Sequence, residues 1–113
     1  MLPIETSVRA YEDKYGKSPF ETWFSRLGPV AAAKVTVALA RLEQGNLSNV
    51  KSLGAGVHEL KVNHGPGYRV YFGKDSNTVI ILVGGGTKKR QEADIKAARL
   101  RWADYKARKK KVK

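Results

Sequence analysis

The chain is 113 residues long, which suits one compact domain (1–113) with a small hydrophobic core and leaves little room for two. It contains no cysteine, which excludes disulfides and thiolate metal sites, and its 2 histidines and 10 Asp and Glu offer neither a good metal site nor a cofactor signature. Its 22 Lys and Arg give a net charge of +12, and residues 86–113 alone hold 12 basic against 3 acidic residues, so the expected partner is a polyanion: RNA, DNA or an acidic protein segment.

At the N-terminus, Leu2, Ile4, Thr6 and Val8 alternate with Pro3, Glu5, Ser7 and Arg9. That is the pattern of a half-buried strand with proline at its start or on an edge. No basic region followed by an apolar run marks a signal peptide there, and the longest apolar run, TVIILV at 78–83, is far below transmembrane length. A cytoplasmic protein with no membrane contact is expected. SPFE at 18–21 opens a helix, with Ser18 as cap, Pro19 at the first helical position and Glu21 closing a capping box. Phe20, Trp23, Phe24 and Leu27 then form one apolar stripe. Gly28-Pro29 separates it from a second helix, about 30–44, whose inward face is Val35, Leu39 and Leu42 and whose outward face carries Lys34 and Arg41, candidates for RNA phosphate contact. The two read as a helical hairpin.

The segment GNLSNVKSLGAG, 45–56, reads as a loop. Three strands follow, about 57–63, 68–73 and 78–83, joined by the turns HGPG and GKDSN. The last is apolar on both faces and belongs in a central or well-covered position. The glycines 84–86 read as a turn into a final helix, about 89–108, with Ile95, Ala98, Trp102 and Tyr105 on its buried stripe. Residues 108–113 read as a fraying basic tail. The order β-α-α-β-β-β-α predicts an α+β fold, a small sheet with the hairpin on one face and the other face partly open.

Alternation places Glu59, Lys61 and Asn63 on one side of their strand, and Arg69 and Tyr71 on one side of theirs. If the apolar sets share a core, Lys61, Arg69 and Tyr71 meet on the open face. That arrangement suits single-stranded RNA, with arginine on phosphate and tyrosine on a base. It also suits cleavage of RNA by its own 2′-hydroxyl, which needs a base, cations around the phosphate and an acid for the leaving oxygen, but no metal. A lysine acts as base when neighbouring cations favour its neutral form. Plainer readings stand beside each role. Arg69 can pair with Glu59 across the strands, Lys61 can be a solvated strand lysine, and Tyr71 can be packing. His64 lies in the hairpin turn, where proton transfer or simple exposure both fit, and His58 stands near a strand start. Lys88, Lys89 and Arg90 sit where a helix N-terminus disfavours cations, which points to phosphate contact or to a solvated face.

Four segments in this order and spacing carry a family resemblance: GVHELK at 56–61, GPGYRVYF at 65–72, LVGGGTK at 82–88 and QEADI at 91–95. Over about residues 2–105 the chain resembles the RelE/ParE superfamily of bacterial type II toxins, nearest the RelE/HigB-like addiction module killer branch. The resemblance implies a small curved antiparallel sheet with a helical hairpin, and a toxin that cleaves mRNA on the ribosome without metal or cofactor. It places Arg69 at the family's phosphate-binding arginine and Lys61 at the later of two strand lysines. Glu59 stands where the earlier lysine is expected, Lys88 or Lys89 where a second arginine is, and Ile95 near the place of a catalytic tyrosine. It implies a cognate antitoxin with a helix-turn-helix domain, and operator DNA bound through that antitoxin. A gyrase inhibitor of the ParE type and a non-toxic nucleic-acid or ribosome-binding module are the alternative functions.

Overall fold

The computed structural model describes residues 6–111; the strand positions Leu2, Pro3, Ile4 and Glu5 and the last two residues of the tail lie outside them. In chain order the elements are β1 (Ser7–Ala10), α1 (Pro19–Ser25), α2 (Pro29–Glu43), β2 (Val50–Gly54), β3 (Val57–Val62), β4 (Tyr68–Ser76), β5 (Val79–Thr87), one 3-10 turn (Lys88–Arg90) and α3 (Gln91–Lys111). The α+β class agrees with the sequence pattern, and the expected helices and strands appear in the expected order with one strand added. Local chemistry sets the boundaries as expected at α1, where the Ser18 hydroxyl accepts the Glu21 N–H at 3.1 Å and Pro19 takes the first turn.

Three expectations are corrected. The segment read as a loop contains β2, which pairs antiparallel with β3. Their connection is a tight turn in which Ala55 (φ 54°) and Gly56 (φ 81°) are both left-handed, the geometry that two-residue hairpins require. The sheet is mixed rather than antiparallel throughout, because β1 runs parallel to β5 at the edge; the strand order is β1-β5-β4-β3-β2. The glycines 84–86 do not turn the chain; they extend β5 opposite Tyr71, Val70 and Arg69. They are small because large groups press on them: a Cβ on Gly85 would strike the Trp23 ring from one side, and one on Gly86 would strike the Asp94 carboxylate from the other.

The sheet is covered on both faces. Under α1 and α2 lie Phe20, Val35, Leu42, Val70, Phe72 and Leu82. Under α3 lie Tyr11, Val57, Tyr71, Val83, Ala98 and Trp102. The face expected to be open is therefore closed by the final helix. Its register along the sheet is fixed by Trp102, which rests on Gly73 where no Cβ has room, and by Arg101, whose Nη1 donates to the Val83 carbonyl at 2.9 Å. The helix continues to Lys111, past the point where a frayed tail was expected. Among the described residues no helix is long and apolar enough to cross a membrane.

Candidate functional site

The candidate residues from β3, β4 and the start of α3 gather at one end of the sheet, on the side that α3 covers. Register puts Lys61 directly opposite Arg69, and Arg69 opposite Gly86. Glu59 stands two residues behind Lys61 on the same face, opposite Tyr71. The expectation that these side chains project together from an open surface is corrected. Arg69 is 6% exposed, Glu59 5% and Tyr71 0%, while Lys61 is exposed. The first turn of α3 lies over them, and the Gln91 amide donates to Glu59 Oε2 at 2.6 Å.

The cross-strand pairing of Arg69 with Glu59 is present, with Nε 3.6 Å from Oε1. Arg69 Nη1 also donates to the Gly67 carbonyl at 3.0 Å, and the Lys88 N–H donates to the same oxygen at 2.9 Å. One carbonyl thus ties the 64–67 turn to β4 and to the 3-10 turn that leads into α3. Arg69 Nε and the Tyr71 hydroxyl have no hydrogen-bond partner among the described residues. Burial, followed by the Glu59 and Asp94 carboxylates, holds the Tyr71 hydroxyl well above its ordinary range. It is a neutral core phenol, so the sheet-face role expected for Tyr71 is not open to it in this arrangement.

Around the buried pair is an exposed rim of Lys61, Lys88, Lys89 and Arg90. Lys89, Arg90 and Lys96, with Glu92 and Ala93, line a depression of about 450 Å³ beside it. His64 is half-buried and stacks on Tyr68, with ring centroids 6.3 Å apart. Tyr68 packs against the core under α1 and α2, so His64 is on the other side of the sheet from Arg69. Lys34 and Arg41 are exposed on α2, in the layer across the sheet, and do not join the rim. His58 stacks on Phe72 at 5.2 Å, and burial followed by Lys74 keeps its imidazole below the ordinary value.

Sequence reasoning missed two members of the cluster, although both belong to the QEADI segment. Gln91 holds Glu59, and Asp94 sits over Gly86 with its carboxyl raised by burial. The signal was present: the stripe Ile95, Ala98, Trp102, continued one turn back, passes through Asp94 and Gln91. No group of acidic residues and histidines among the described residues is arranged to hold a metal ion.

The model of the family described as "Phage derived protein Gp49-like (DUF891)" matches residues 22–105, a span from α1 to Tyr105 that includes the whole cluster. The chain belongs to the Gp49-like family. Gp49-like proteins belong to the RelE/ParE-like toxin superfamily, which agrees with the resemblance carried by the sequence segments. The chain is also similar to an uncharacterized protein of Haemophilus influenzae, 40% identical over 82 residues that span 72% of this chain and 83% of the relative. In this Gp49-like chain the four resemblance segments lie on β3, β4, β5 and the first turn of α3, the elements that carry the cluster.

Proposed function

We propose that the chain is the toxin of a toxin–antitoxin pair and that it acts on RNA, as an endoribonuclease that cleaves mRNA on the ribosome. The observation that carries this is the crowding of cations at the site, where among the described residues Lys61, Lys88, Lys89 and Arg90 form no salt bridge. Lys61 stands directly opposite Arg69, and like charges facing each other across strands are destabilising. Lys88, Lys89 and Arg90 precede α3, where the helix dipole also disfavours them. Among the described residues Glu59 pairs with Arg69 and with none of the other cations. Two departures from local electrostatic preference at one sheet end are explained if a phosphate chain supplies the missing negative charge.

Cleavage then divides among the residues present. The RNA 2′-hydroxyl attacks the adjacent phosphorus, the bond to the 5′-oxygen breaks, and a 2′,3′-cyclic phosphate remains. Lys61 is the candidate to take the hydroxyl proton and Lys88 to face the non-bridging oxygens, while the departing 5′-oxygen takes its proton from solvent water. Arg69 is a positioning residue here. Through Gly67 it fixes the turn and the start of the 3-10 segment, and with Glu59 it fixes the strand pair that carries Lys61. The antitoxin's acidic surface would cover the same cations, and the pair would meet operator DNA through the antitoxin.

One observation favours a second reading. Burial of Arg69 and Tyr71 withdraws two of the four expected catalytic side chains from solvent, which suits a ParE-type gyrase inhibitor that binds without hydrolysing anything. Induced expression in bacteria separates the two. Abrupt translation arrest with cut messages supports the endoribonuclease, and filamentation with a DNA-damage response supports the inhibitor.

A further inference from the structure

A second groove lies at the opposite end of the sheet, where β4 finishes and the later turns of α3 cross it. Its cavity of about 310 Å³ has Trp102 and Tyr105 in its wall and Lys74, Lys106, Lys109 and Lys110 around it. The two rings are within 7° of parallel with centroids 5.3 Å apart. Trp102 cannot tilt, because it lies against Gly73. Lys106 Nζ is 5.8 Å from the centre of the Trp102 ring. The groove's one carboxylate, Asp75, is already engaged. It accepts the Tyr105 hydroxyl at 2.6 Å and pairs with Lys109, leaving Lys74, Lys106 and Lys110 without a carboxylate partner among the described residues.

The cations do not stop at the groove. Lys96, Arg99, Lys106 and Lys110 are all exposed on α3, at spacings that keep them on one helix face. From Lys96 to Lys110 the row spans roughly 21 Å along the axis. It runs from the depression beside the Lys61 rim to the aromatic groove.

We propose that this groove is a binding site for single-stranded RNA, with one base against the half-buried Tyr105 ring, which the buried Trp102 backs from the core, its phosphates on Lys74, Lys106 and Lys110, and the strand continuing along α3 toward Lys96. The alternation of a flat ring surface with single positive charges matches a chain that alternates bases and phosphates. An acidic peptide would answer the charge and leave the ring surface without a planar partner. The inference rests on RNA being the partner. It adds a site about 17–20 Å along β4 from Arg69, at roughly 3.4 Å per strand residue.

The test is fluorescence anisotropy of the full chain with a short labelled single-stranded RNA across a salt series. Lys106→Ala/Lys110→Ala, at two exposed lysines of which only Lys106 approaches a core ring, checked for folding by circular dichroism, should flatten the log–log salt slope by about 1.4, at about 0.7 for each phosphate no longer neutralised. Tyr105→Leu, checked for folding by circular dichroism, should weaken binding about five- to hundredfold while leaving the slope in place. If both groove variants bind as wild type while Lys61→Ala/Lys88→Ala binds less, the groove inference is overturned and the RNA reading stands. If wild type itself does not bind RNA, both are overturned. If a glutamate-rich peptide binds wild type and loses binding in the groove variants, with RNA affinity unchanged, the groove belongs to an acidic protein and the inference is wrong.

Discussion

Replacing Arg69 by methionine keeps the aliphatic stem and removes the guanidinium from a site only 6% exposed. Glu59 is then left buried with Gln91 as its one hydrogen-bonding neighbour among the described residues, and the Gly67 carbonyl loses one of two donors. Breaking a buried pair from one side costs about 3–5 kcal/mol, because the surviving charge stays desolvated. A domain of this length has an unfolding entropy near 240 cal/mol/K, at about 2.1 cal/mol/K per residue, so each kcal/mol moves Tm by roughly 4 °C. Arg69→Met should therefore lower Tm by about 13–20 °C. The double variant Glu59→Leu/Arg69→Met removes both charges and should recover at least about 2 kcal/mol of that loss. Urea unfolding at constant m-value reads both quantities. Arg69→Met within about 1 kcal/mol of wild type would refute the buried-pair reading. So would a double variant as unstable as the two single changes added together.

Other expectations follow from the same packing. Gly86→Ala, with Asp94 occupying the space a Cβ needs, should destabilise by about 1–3 kcal/mol in thermal melts. Ala55→Gly, which relieves a left-handed alanine in the β2–β3 turn, should stabilise by about 0.5–1 kcal/mol. His58 has a folded pKa below its unfolded value, so its contribution is complete above about pH 6.5 and is lost as the pH falls through the folded pKa. The urea midpoint of wild type should thus drop between about pH 7 and pH 5 by more than that of His58→Gln. Lys61→Ala/Lys88→Ala should change stability by less than about 0.5 kcal/mol per site yet abolish growth arrest on induction.

Much of the fold was legible because its signals are local. The capped start at Ser18, the Gly28-Pro29 break and the two-sided apolar pattern of residues 78–83 all mark their elements from sequence alone. β2 was not legible, because VKSLG is half exposed and polar, and it becomes a strand through pairing with β3 rather than through its own pattern. The glycines 84–86 carry no side-chain periodicity, so a turn and a strand read alike; what decides is Trp23 and Asp94 arriving from remote helices. At the site, alternation placed Glu59, Lys61, Arg69 and Tyr71 on one face as expected. It could not say that α3 would lie across that face, since the helix's own stripe names an apolar side but not which sheet face receives it. The consequence was large, because it turned an exposed grip into a buried pair with a cationic rim.

The most direct measurement is primer extension on a defined mRNA incubated with the purified chain, with and without ribosomes. The proposed function requires discrete primer-extension stops at defined cut sites that disappear with Lys61→Ala/Lys88→Ala. Intact message under all conditions, together with gyrase-dependent DNA breaks from the same preparation, would contradict it.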